Sequence, residues 1–518
     1  MTSPVLLAID NGTQSVRTIA FDLEGEPIAG HKVPIEPYFS TSPGYAEQHT
    51  RVYLDALRES IAGCLGKGGI DPKRLVGVSV TTQRGTIIPV DAAGEALRPA
   101  LTWLDQREAT NLPPLPLPLS VLFKTIGEGE TLAYLRRQAE VNWLAYHEPD
   151  VWARTHKVLL LSGFLNAKLT GRFVDSVGSV VAYLPFDYKR QRWNRDWEWQ
   201  WKALAVRRAQ LPDLVKPGAT IGHVTAGASR LTGLPEGLPV IASGADKACE
   251  VLGSGCFSPD VGCISYGTTA TINAASDRYV EPVPFLPAYP AAVPDAYNIE
   301  VQVQRGFWMV EWFKTQFAGP EQAEADARGV PVERLFDEMI GDIPPGSLGL
   351  TLQPYWTPGV RTPGREAKGA IIGFGDVHTK RHVYRAILEG LAYGLREGGE
   401  RIERRDGVTM SRLRVSGGGS QSDEAMQITA DVFGRPTERP HTFETSALGA
   451  AINVAVGTGL ATDHRAAVAR MTRPGKVFTP RPDAVRTYDA LFRRVYRPMY
   501  GRLRPLYEAI REVTGYPR

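Results

Sequence analysis

The sequence predicts an α/β protein built from two domains of related topology. Its 518 residues exceed the roughly 250–300 residues at which a single hydrophobic core stops growing. Apolar runs of strand length alternate with stretches of helical periodicity, which is typical of α/β folds. An apolar strand, a Gly-Thr turn and a second apolar strand occur at residues 6–21 and again at residues 261–274. A repeat separated by about half the chain indicates two units of one architecture.

The composition is that of an ordinary globular protein. Apolar residues make up 43% and charged residues 22% of the chain, and the formal net charge is +3. These values exclude disordered and fibrous classes, and without a basic excess we expect no nucleic acid and no membrane as partner. The longest apolar stretch, from Val158, is shorter than the roughly 20 residues of a membrane span. The four cysteines include no CxxC pair, so we expect a soluble, cytoplasmic protein with reduced thiols.

The first half of the chain begins with a hairpin. Apolar runs at residues 5–10 and 15–21 are separated by turn residues. Apolar residues then recur at helical spacing from Glu47 to Leu65, and a strand follows from Leu75. The order strands, helix, strand indicates an α/β domain.

The middle of the first half is less regular. Residues 109–131 contain several prolines and predict a loop or a short appendage, whereas helical periodicity over residues 132–166 ends at a stop signal, Gly171. Four of the ten tryptophans lie between Trp193 and Trp201. Because their neighbours are charged, we expect an amphipathic helix at a domain edge or dimer contact, with a substrate role as the alternative.

The second half repeats the opening pattern. A strand, a glycine turn and a helix follow from Leu238, and the hairpin recurs from Val261. The expected domains are residues 1–250 and 251–457, followed by a helical tail of residues 458–518 that packs on them.

The sequence contains neither of the common phosphate-binding loops. GxxxxGK followed by Ser or Thr is absent, and no GxGxxG opens a helix after a strand. The two Gly-Thr turns are the alternative, because glycine lets backbone N–H groups approach a phosphate and threonine adds a donor. Their residues are Gly12, Thr13 and Gln14, with Asp10 and Arg17 beside them, and Gly267, Thr268 and Thr269. Each turn taken alone is equally well explained as an ordinary hairpin turn.

A third glycine cluster follows an apolar strand and consists of Gly417, Gly418 and Gly419. Ser422 or Asp423 then caps a helix with one apolar face. Bare glycine backbone at a helix N-terminus suits the flat face and the phosphates of a nucleotide. A tight strand-to-helix turn explains the same residues equally well.

Asp246 is the candidate acid–base residue. It begins a helix after Gly244, which places a carboxylate at the carboxyl edge of a sheet, where α/β proteins form ligand clefts. Taken alone, Asp246 is more simply explained as a helix N-cap. The sequence has no GxSxG elbow, so hydrolase chemistry is not indicated.

Together these segments resemble the FGGY family of carbohydrate kinases over nearly the whole chain. Gly369–Gly373, His382–Val383 and Ala386–Gly390 are close to the family's C-terminal signature in residue type and spacing, whereas the N-terminal signature is half kept, with Glu140 in place of a lysine. The resemblance implies two actin-like, ribonuclease-H-like domains that close on ATP and a sugar in an interdomain cleft. The first domain would carry the sugar site and the second the nucleotide site.

The resemblance also assigns roles to residues. Asp246 would be the general base for the attacking hydroxyl, and Asp10 and Asp246 would hold Mg²⁺. The residues implied to bind ATP are Gly12, Thr13, Gln14, Arg17, Gly267, Thr268, Thr269, Gly417, Gly418, Gly419 and Ser422. The residues implied to bind the acceptor are Gln83, Arg84, Trp103, Asp105, Arg107, Asp246 and Lys247.

The implied function is ATP- and Mg²⁺-dependent phosphorylation of a small sugar or polyol. A ketopentose such as xylulose or ribulose is one candidate acceptor, and glycerol or a tetritol is another. Subfamily residues leave the choice open, since Arg84-Gly85 matches neither glycerol kinases nor xylulokinases. Lys247 replaces a glutamine or asparagine of these relatives and would pair with Asp246 or contact an anionic substrate.

Further alternatives follow from the same resemblance. Phe307 and Trp308 stand where relatives often have small residues near the nucleotide cleft. A non-catalytic actin-like sensor of sugar or nucleotide and a chaperone-like ATPase share the superfold. Homodimers are common in the family, so a homodimer is one option for an assembly that the sequence leaves open.

Overall fold

Two large sheets organise the chain. The computed structural model describes residues 3–284, 286–357, 359 and 363–516. Strands of the first half are β1 (Val5–Asn11), β2 (Ser15–Phe21), β3 (Pro27–Pro34), β4 (Glu47–Gln48), β5 (Leu75–Thr82), β6 (Ile87–Val90), β7 (Ala100–Leu101), β8 (Lys157–Leu160), β9 (Val174–Ser176), β10 (Phe186–Asp187), β11 (Arg192–Trp193), β12 (Asp213–Val215), β13 (Thr220–His223) and β14 (Pro239–Ile241). Its helices are α1 (Thr50–Lys67), α2 (Leu117–Thr125), α3 (Gly129–Gln138), α4 (Glu140–His147), α5 (Pro149–Arg154), α6 (Leu161–Thr170), α7 (Gln200–Ala203), α8 (Ala226–Thr232) and α9 (Asp246–Gly253).

The second half continues the same alternation. Its strands are β15 (Val261–Tyr266), β16 (Ala270–Ser276), β17 (Tyr289–Pro290), β18 (Tyr297–Val303), β19 (Thr351–Gln353), β20 (Ala370–Ile372), β21 (Arg412–Ser416), β22 (Thr437–Pro440) and β23 (Pro474–Phe478). Its helices are α10 (Trp308–Phe317), α11 (Gly319–Arg328), α12 (Val332–Ile340), α13 (Lys380–Asp406), α14 (Asp423–Phe433), α15 (Thr445–Gly457), α16 (His464–Met471), α17 (Pro482–Leu491) and α18 (Arg497–Thr514).

The two large sheets share one topology. The first has the order β13-β14-β5-β1-β2-β3, and the second has the order β17-β18-β16-β15-β21-β22-β23. In each, an antiparallel three-stranded meander is joined by parallel pairing to two further strands, β5 and β14 or β21 and β22. This is the ribonuclease-H-like arrangement, so the predicted α/β fold with two related sheets is confirmed.

Strand β1 shows why the strands near the cleft are almost continuously apolar. Leu7 and Ile9 lie in a core with α1 and α6 on one face of the sheet. Leu6 and Ala8 lie in a second core with α9 and α15 on the other face. A strand buried on both faces has no solvent side on which to alternate polar residues.

Helices α9 and α15 cross at backbone contact. A Cβ built at Gly253 would lie 2.0 Å from the carbonyl oxygen of Thr445, and a Cβ at Gly449 would lie 2.0 Å from that of Cys249. Helix α15 follows β22 of the second sheet but lies against β1 and β5 of the first. Helix α9 follows β14 of the first sheet, and its Val251 packs with Cys263 of the second. The crossing therefore joins both sheets.

Three local predictions in the first half differ from the structure. Strand β8 interrupts the helical periodicity predicted over residues 132–166. The proline-rich stretch contains α2, because the prolines before and within its first turn occupy positions that need no intrahelical N–H bond. The tryptophan-rich segment forms β11 and the single helical turn α7, not an amphipathic helix. Glu198 accepts hydrogen bonds from the side chain of Asn194 and the backbone N–H of Arg195, which holds a turn there.

The segment after Gly457 is not purely helical. It contains α16, α17 and α18, but β23 pairs with β22 and extends the second sheet. Apolar periodicity alone does not reveal this strand, since its Lys476 and Val477 are exposed at the sheet edge. Among the described residues, no helix is long and apolar enough to cross a membrane.

The family-like signature around Glu389 lies in the core. The Glu389 carboxylate, 2% exposed, accepts hydrogen bonds from the N–H of Gly346, the hydroxyls of Ser347 and Tyr488, and the guanidinium of Arg385. A buried carboxylate with four donors links α13 to α17 and to the turn before β19. The signature thus stabilises the second half of the chain.

The helix crossing predicts a strong asymmetry between two Gly→Ala substitutions. Gly449→Ala forces a methyl group into the α9 backbone, so we expect a loss of about 1–3 kcal/mol or more in the free energy of unfolding. Gly501→Ala, in α18, meets open space and should be neutral or stabilising by about 0.5–1 kcal/mol. Thermal unfolding of both variants measures the difference. Equal melting temperatures would contradict a backbone-contact crossing.

Candidate active site

The first predicted phosphate turn is the tip of the β1–β2 hairpin. The Gly12 N–H donates to the Ser15 carbonyl at 3.0 Å, which closes the turn. Gln14 is exposed and Thr13 half-buried, and the Thr13 hydroxyl accepts a hydrogen bond from the Trp103 indole at 3.0 Å. The predicted acceptor residue Trp103 therefore adjoins the predicted phosphate turn.

The second and third predicted turns lie side by side. Strands β15 and β21 are parallel neighbours. The Gly267–Thr269 turn and the Gly417–Gly419 turn follow their carboxyl ends, so both turns lie at the same edge of the sheet. Gly417 has a φ of +83°, and a Cβ there would lie 2.7 Å from the Tyr266 carbonyl oxygen. This position requires glycine for both reasons.

Asp246 is the first residue of α9, not its N-cap. Ala245 occupies the cap position, and Asp246 Oδ1 accepts a hydrogen bond from the Lys247 N–H at 2.7 Å. Burial raises the pKa of the Asp246 carboxyl to about 6; the charges of Arg84 and Lys247 oppose this shift, and that of Asp10 adds to it. Asp10 and Asp246 both lie in the first half of the chain, and their carboxyl groups interact electrostatically.

Asp10 and Arg17 form an ion-paired bridge. Arg17 donates to Asp10 Oδ2 at 2.6 Å and to Glu444 Oε2 at 2.9 Å. Asp10 is 2% exposed, and burial raises its pKa although Arg17 lowers it. Glu444 directly precedes α15, so Arg17 ties the β1–β2 hairpin to a helix of the second half.

Lys247 does not pair with Asp246 through its side chain. Its ammonium donates to Glu250 Oε2 and to the Ser265 hydroxyl, both at 2.6 Å. Glu250 in turn accepts from the Ser416 hydroxyl at 2.7 Å. The Lys247–Glu250 pair thus fastens α9 to β15 and β21, and the ammonium is already neutralised.

Arg84 joins the two halves across the cleft. Its guanidinium donates to both carboxylate oxygens of Glu300, at 3.1 and 3.0 Å, and lies 5.2 Å from the Tyr289 ring centre. The Arg84 side chain is 18% exposed and the Glu300 side chain 2% exposed. One guanidinium nitrogen makes both contacts, so the two carboxylate oxygens share a single donor group in a largely desolvated, charge-assisted pair.

The remaining predicted acceptor residues have different positions. Gln83 donates to the Tyr53 hydroxyl at 3.4 Å; among the described residues its buried Oε1 has no hydrogen-bond partner. Asp105 accepts from the N–H of Ala46 at 2.7 Å and from Arg107, whose guanidinium lies 3.8 Å from the Tyr45 ring centre. The Asp105 and Arg107 side chains are each 2% exposed, so both point into the protein and stabilise the loop after β7 in which they lie.

Sequence reasoning missed the acidic partners of the site. Glu250 had a signal, since it lies three residues after Lys247 on the same helix. Glu300 and Glu444 had none, because they are 216 and 427 residues from the arginines they bind. Glu140, at the start of α4, is a further carboxyl whose pKa burial and Asp105 raise to about 7.

The predicted Mg²⁺ site has few protein ligands. Within the described residues, no group of three or more His, Cys, Asp or Glu side chains is placed to hold a metal ion. Mg²⁺ at phosphoryl-transfer sites usually takes one or two carboxylates, substrate phosphates and water. Asp10 and Asp246, whose charges repel, are compatible with that coordination.

Two ribonuclease-H-like sheets joined by crossed helices define the actin-like superfold. Residues 5–253 match the N-terminal domain of the FGGY family of carbohydrate kinases, and residues 262–458 match its C-terminal domain. The chain therefore belongs to the FGGY family of carbohydrate kinases, and it is a sugar kinase.

Individual relatives agree with this assignment. The xylulose kinase of Lactococcus lactis subsp. lactis is 28% identical over 504 residues, which cover 96% of each chain. The crystal structure of xylulose kinase from Rhodospirillum rubrum has a TM-score of 0.80 at 25% identity and covers 97% of this chain and 100% of that one. The structure of gluconate kinase from Lactobacillus acidophilus has a TM-score of 0.80 at 21% identity, with coverage of 100% and 99%.

The raised pKa of Asp246 predicts a pH-dependent cost to stability. A carboxyl with a pKa of about 6 when folded, against about 3.9 when unfolded, destabilises the fold once it ionises, by up to about 3 kcal/mol above pH 6 and not below pH 4. Asp246→Asn removes this ionisation. Without nucleotide or Mg²⁺, its melting temperature should exceed the wild-type value at pH 8 and match it near pH 4. Calorimetry showing no difference at pH 8 would refute the shift.

The Arg84–Glu300 pair predicts strong coupling between the two halves. Arg84→Met and Glu300→Gln each leave a buried charge unpaired, so each should cost about 3–5 kcal/mol. The double variant should cost at least about 1 kcal/mol less than the sum of the two, since the second substitution removes the charge stranded by the first. Urea unfolding followed by tryptophan fluorescence measures this cycle. Additive losses would show that the pair is not coupled.

Proposed function

We propose that this sugar kinase transfers the γ-phosphoryl group of ATP to a hydroxyl of a neutral ketose or polyol, with Asp246 as general base. The observation that carries the proposal is that Asp246 is a partly buried carboxyl at the start of α9, where it interacts electrostatically with Asp10 of the β1–β2 hairpin and with Arg84. The family supports ATP as donor. A ketopentose is the first candidate acceptor, because relatives similar over nearly their whole length are named xylulose kinases.

Asp246 suits the task of a general base. Its Oδ1 accepts the Lys247 N–H, which holds the carboxylate in one orientation and leaves Oδ2 to face an acceptor hydroxyl. A pKa of about 6 keeps most of the group ionised at pH 7 while making it more basic than an ordinary aspartate. A base whose pKa lies near the working pH contributes about 10²–10⁴-fold to the rate.

The backbone turns suit a polyphosphate. Residues 13, 14, 267 and 268 would offer backbone N–H groups and the Thr13 and Thr268 hydroxyls to phosphate oxygens, whereas the Gly12 N–H and the Thr269 hydroxyl are bonded to backbone carbonyls. Gly418 meets open space on the side of its absent Cβ. Asp10 and Asp246 would hold Mg²⁺ together with the phosphates. When bound, that ion would neutralise charge developing on the transferred group.

The charge pattern favours a neutral acceptor. The basic side chains predicted at the site are Arg17, Arg84, Arg107 and Lys247, and each is paired with a carboxylate. A sugar acid such as gluconate, the substrate named for one structural neighbour, would need one of these pairs to break. Polyol hydroxyls need only hydrogen-bond partners, such as the Gln83 amide, whose Oε1 has no partner among the described residues.

A panel of acceptors tests the proposal. Purified protein with ATP and Mg²⁺ should release ADP with at least one of D-xylulose, D-ribulose, glycerol and erythritol, and should release little with gluconate. Asp246→Asn should lower kcat by about 10²–10⁴-fold, whereas Asp71→Asn, on the far surface, should not. ADP release unaffected by Asp246→Asn would remove Asp246 as base. Release that needs no acceptor would favour a chaperone-like ATPase.

A further inference from the structure

Phe307 lies where the second and third glycine turns meet. Its N–H donates to the Gly267 carbonyl at 2.9 Å, so the residue is attached to the turn predicted to hold phosphates. Its ring centre is 4.6 Å from that of Tyr266, the last residue of β15. The side chain is half-buried, and the ring packs at the edge of the core of the second half.

The Phe307 ring covers the glycine predicted to face adenosine. A Cβ built at Gly419 would lie 2.3 to 2.5 Å from three carbons of the ring. The ring therefore lies in van der Waals contact with the Gly419 α-carbon. The flat backbone surface that would receive a nucleoside at Gly419 is occupied by the protein itself.

A second predicted adenosine contact is also engaged. The Ser422 hydroxyl donates to Asp337 Oδ1 at 2.7 Å and accepts from the Ala425 N–H at 3.0 Å. Its single proton is committed to α12 and one lone pair to the cap of α14. Two of the four residues around the third glycine turn that are implied to bind ATP, Gly419 and Ser422, are thus used within the protein, independently of each other.

We propose that Phe307 fills the nucleoside slot, so that this kinase selects its phosphoryl donor through the polyphosphate chain and discriminates little among nucleosides. The inference rests on the proposed kinase function and adds the class of donor. Contacts from residues 12–14, residues 267–269 and Gly418 reach phosphate oxygens, which ATP, GTP, CTP and inorganic tripolyphosphate share. Contacts that would distinguish a base or ribose are blocked by the Phe307 ring or committed at Ser422.

Donor binding tests the inference without any acceptor. Isothermal titration calorimetry of the full chain with the Mg²⁺ salts of ATP, GTP, CTP and tripolyphosphate should give Kd values that agree within tenfold. Phe307→Ala exposes Gly419, so it should strengthen ATP binding at least tenfold relative to tripolyphosphate. Phe317→Ala, at the other end of α10, is the matched control and should leave all ratios unchanged.

The outcomes separate this inference from the proposed function. A wild-type preference of tenfold or more for ATP over tripolyphosphate overturns the inference and leaves the kinase function standing. An unchanged ratio in a folded Phe307→Ala protein also overturns it. Phe307→Leu, which narrows the side chain but keeps it apolar, should shift the ratio in the same direction and serves if the alanine variant unfolds. If none of the four compounds binds, the inference and the proposed function both fail.

Discussion

The backbone contact between α9 and α15 is the constraint on which the rest of this structure depends. Gly253 and Gly449 let the helices approach until a methyl group on either would collide with the other backbone. Asp246 begins one helix and Glu444 precedes the other. Because Glu444 holds Arg17 and Arg17 holds Asp10, the crossing positions both carboxylates of the site. Because a close-packed interior is hardly compressible, a shift of one helix would displace the residues at the end of the other.

Desolvation determines the electrostatics of the cleft. Arg84 and Arg17 each bind a carboxylate of the second half of the chain, whereas Lys247 binds Glu250 on its own helix. The first two pairs join the halves of the molecule, and all three consume positive charge that an anionic acceptor would need. Asp246 is left with a raised pKa, which costs stability and makes its carboxylate more basic than that of an ordinary aspartate. Functional sites often carry such a cost.

The residues that best identify the family are not those that perform its chemistry. Glu389 and its neighbours have the most specific sequence pattern, yet they form a buried network in the core of the second half. The predicted phosphate turns are short and common in sequence, and they follow strands β1 and β15, which occupy equivalent places in the two sheets. Packing restricts sequence over many positions, whereas backbone N–H groups can be supplied by almost any residue. A side chain does matter at Gly419, because the Phe307 ring packs directly against it.

Much of the fold and part of the site could be predicted from the sequence. The repeated hairpins, the helix after Asp246 and the cap at Ser422 follow from apolar periodicity, turn residues and capping, which act over a few residues. Local signals failed in the proline-rich stretch and the tryptophan-rich segment. In the proline-rich stretch, prolines fit the first turn of a helix despite the composition. In the tryptophan-rich segment, a side-chain hydrogen bond stabilises a turn where the composition suggested a helix.

By itself, the sequence determined the two-domain α/β architecture, the glycine turns and the carboxylate at the start of α9, because each depends on neighbouring residues. Only the tertiary structure decided which charges meet. Arg84 finds Glu300 and Arg17 finds Glu444 across hundreds of residues, while Lys247 turns away from Asp246 to Glu250. The same is true of Phe307 on Gly419. Long-range pairing depends on how the sheets and helices pack, and no local pattern encodes that geometry.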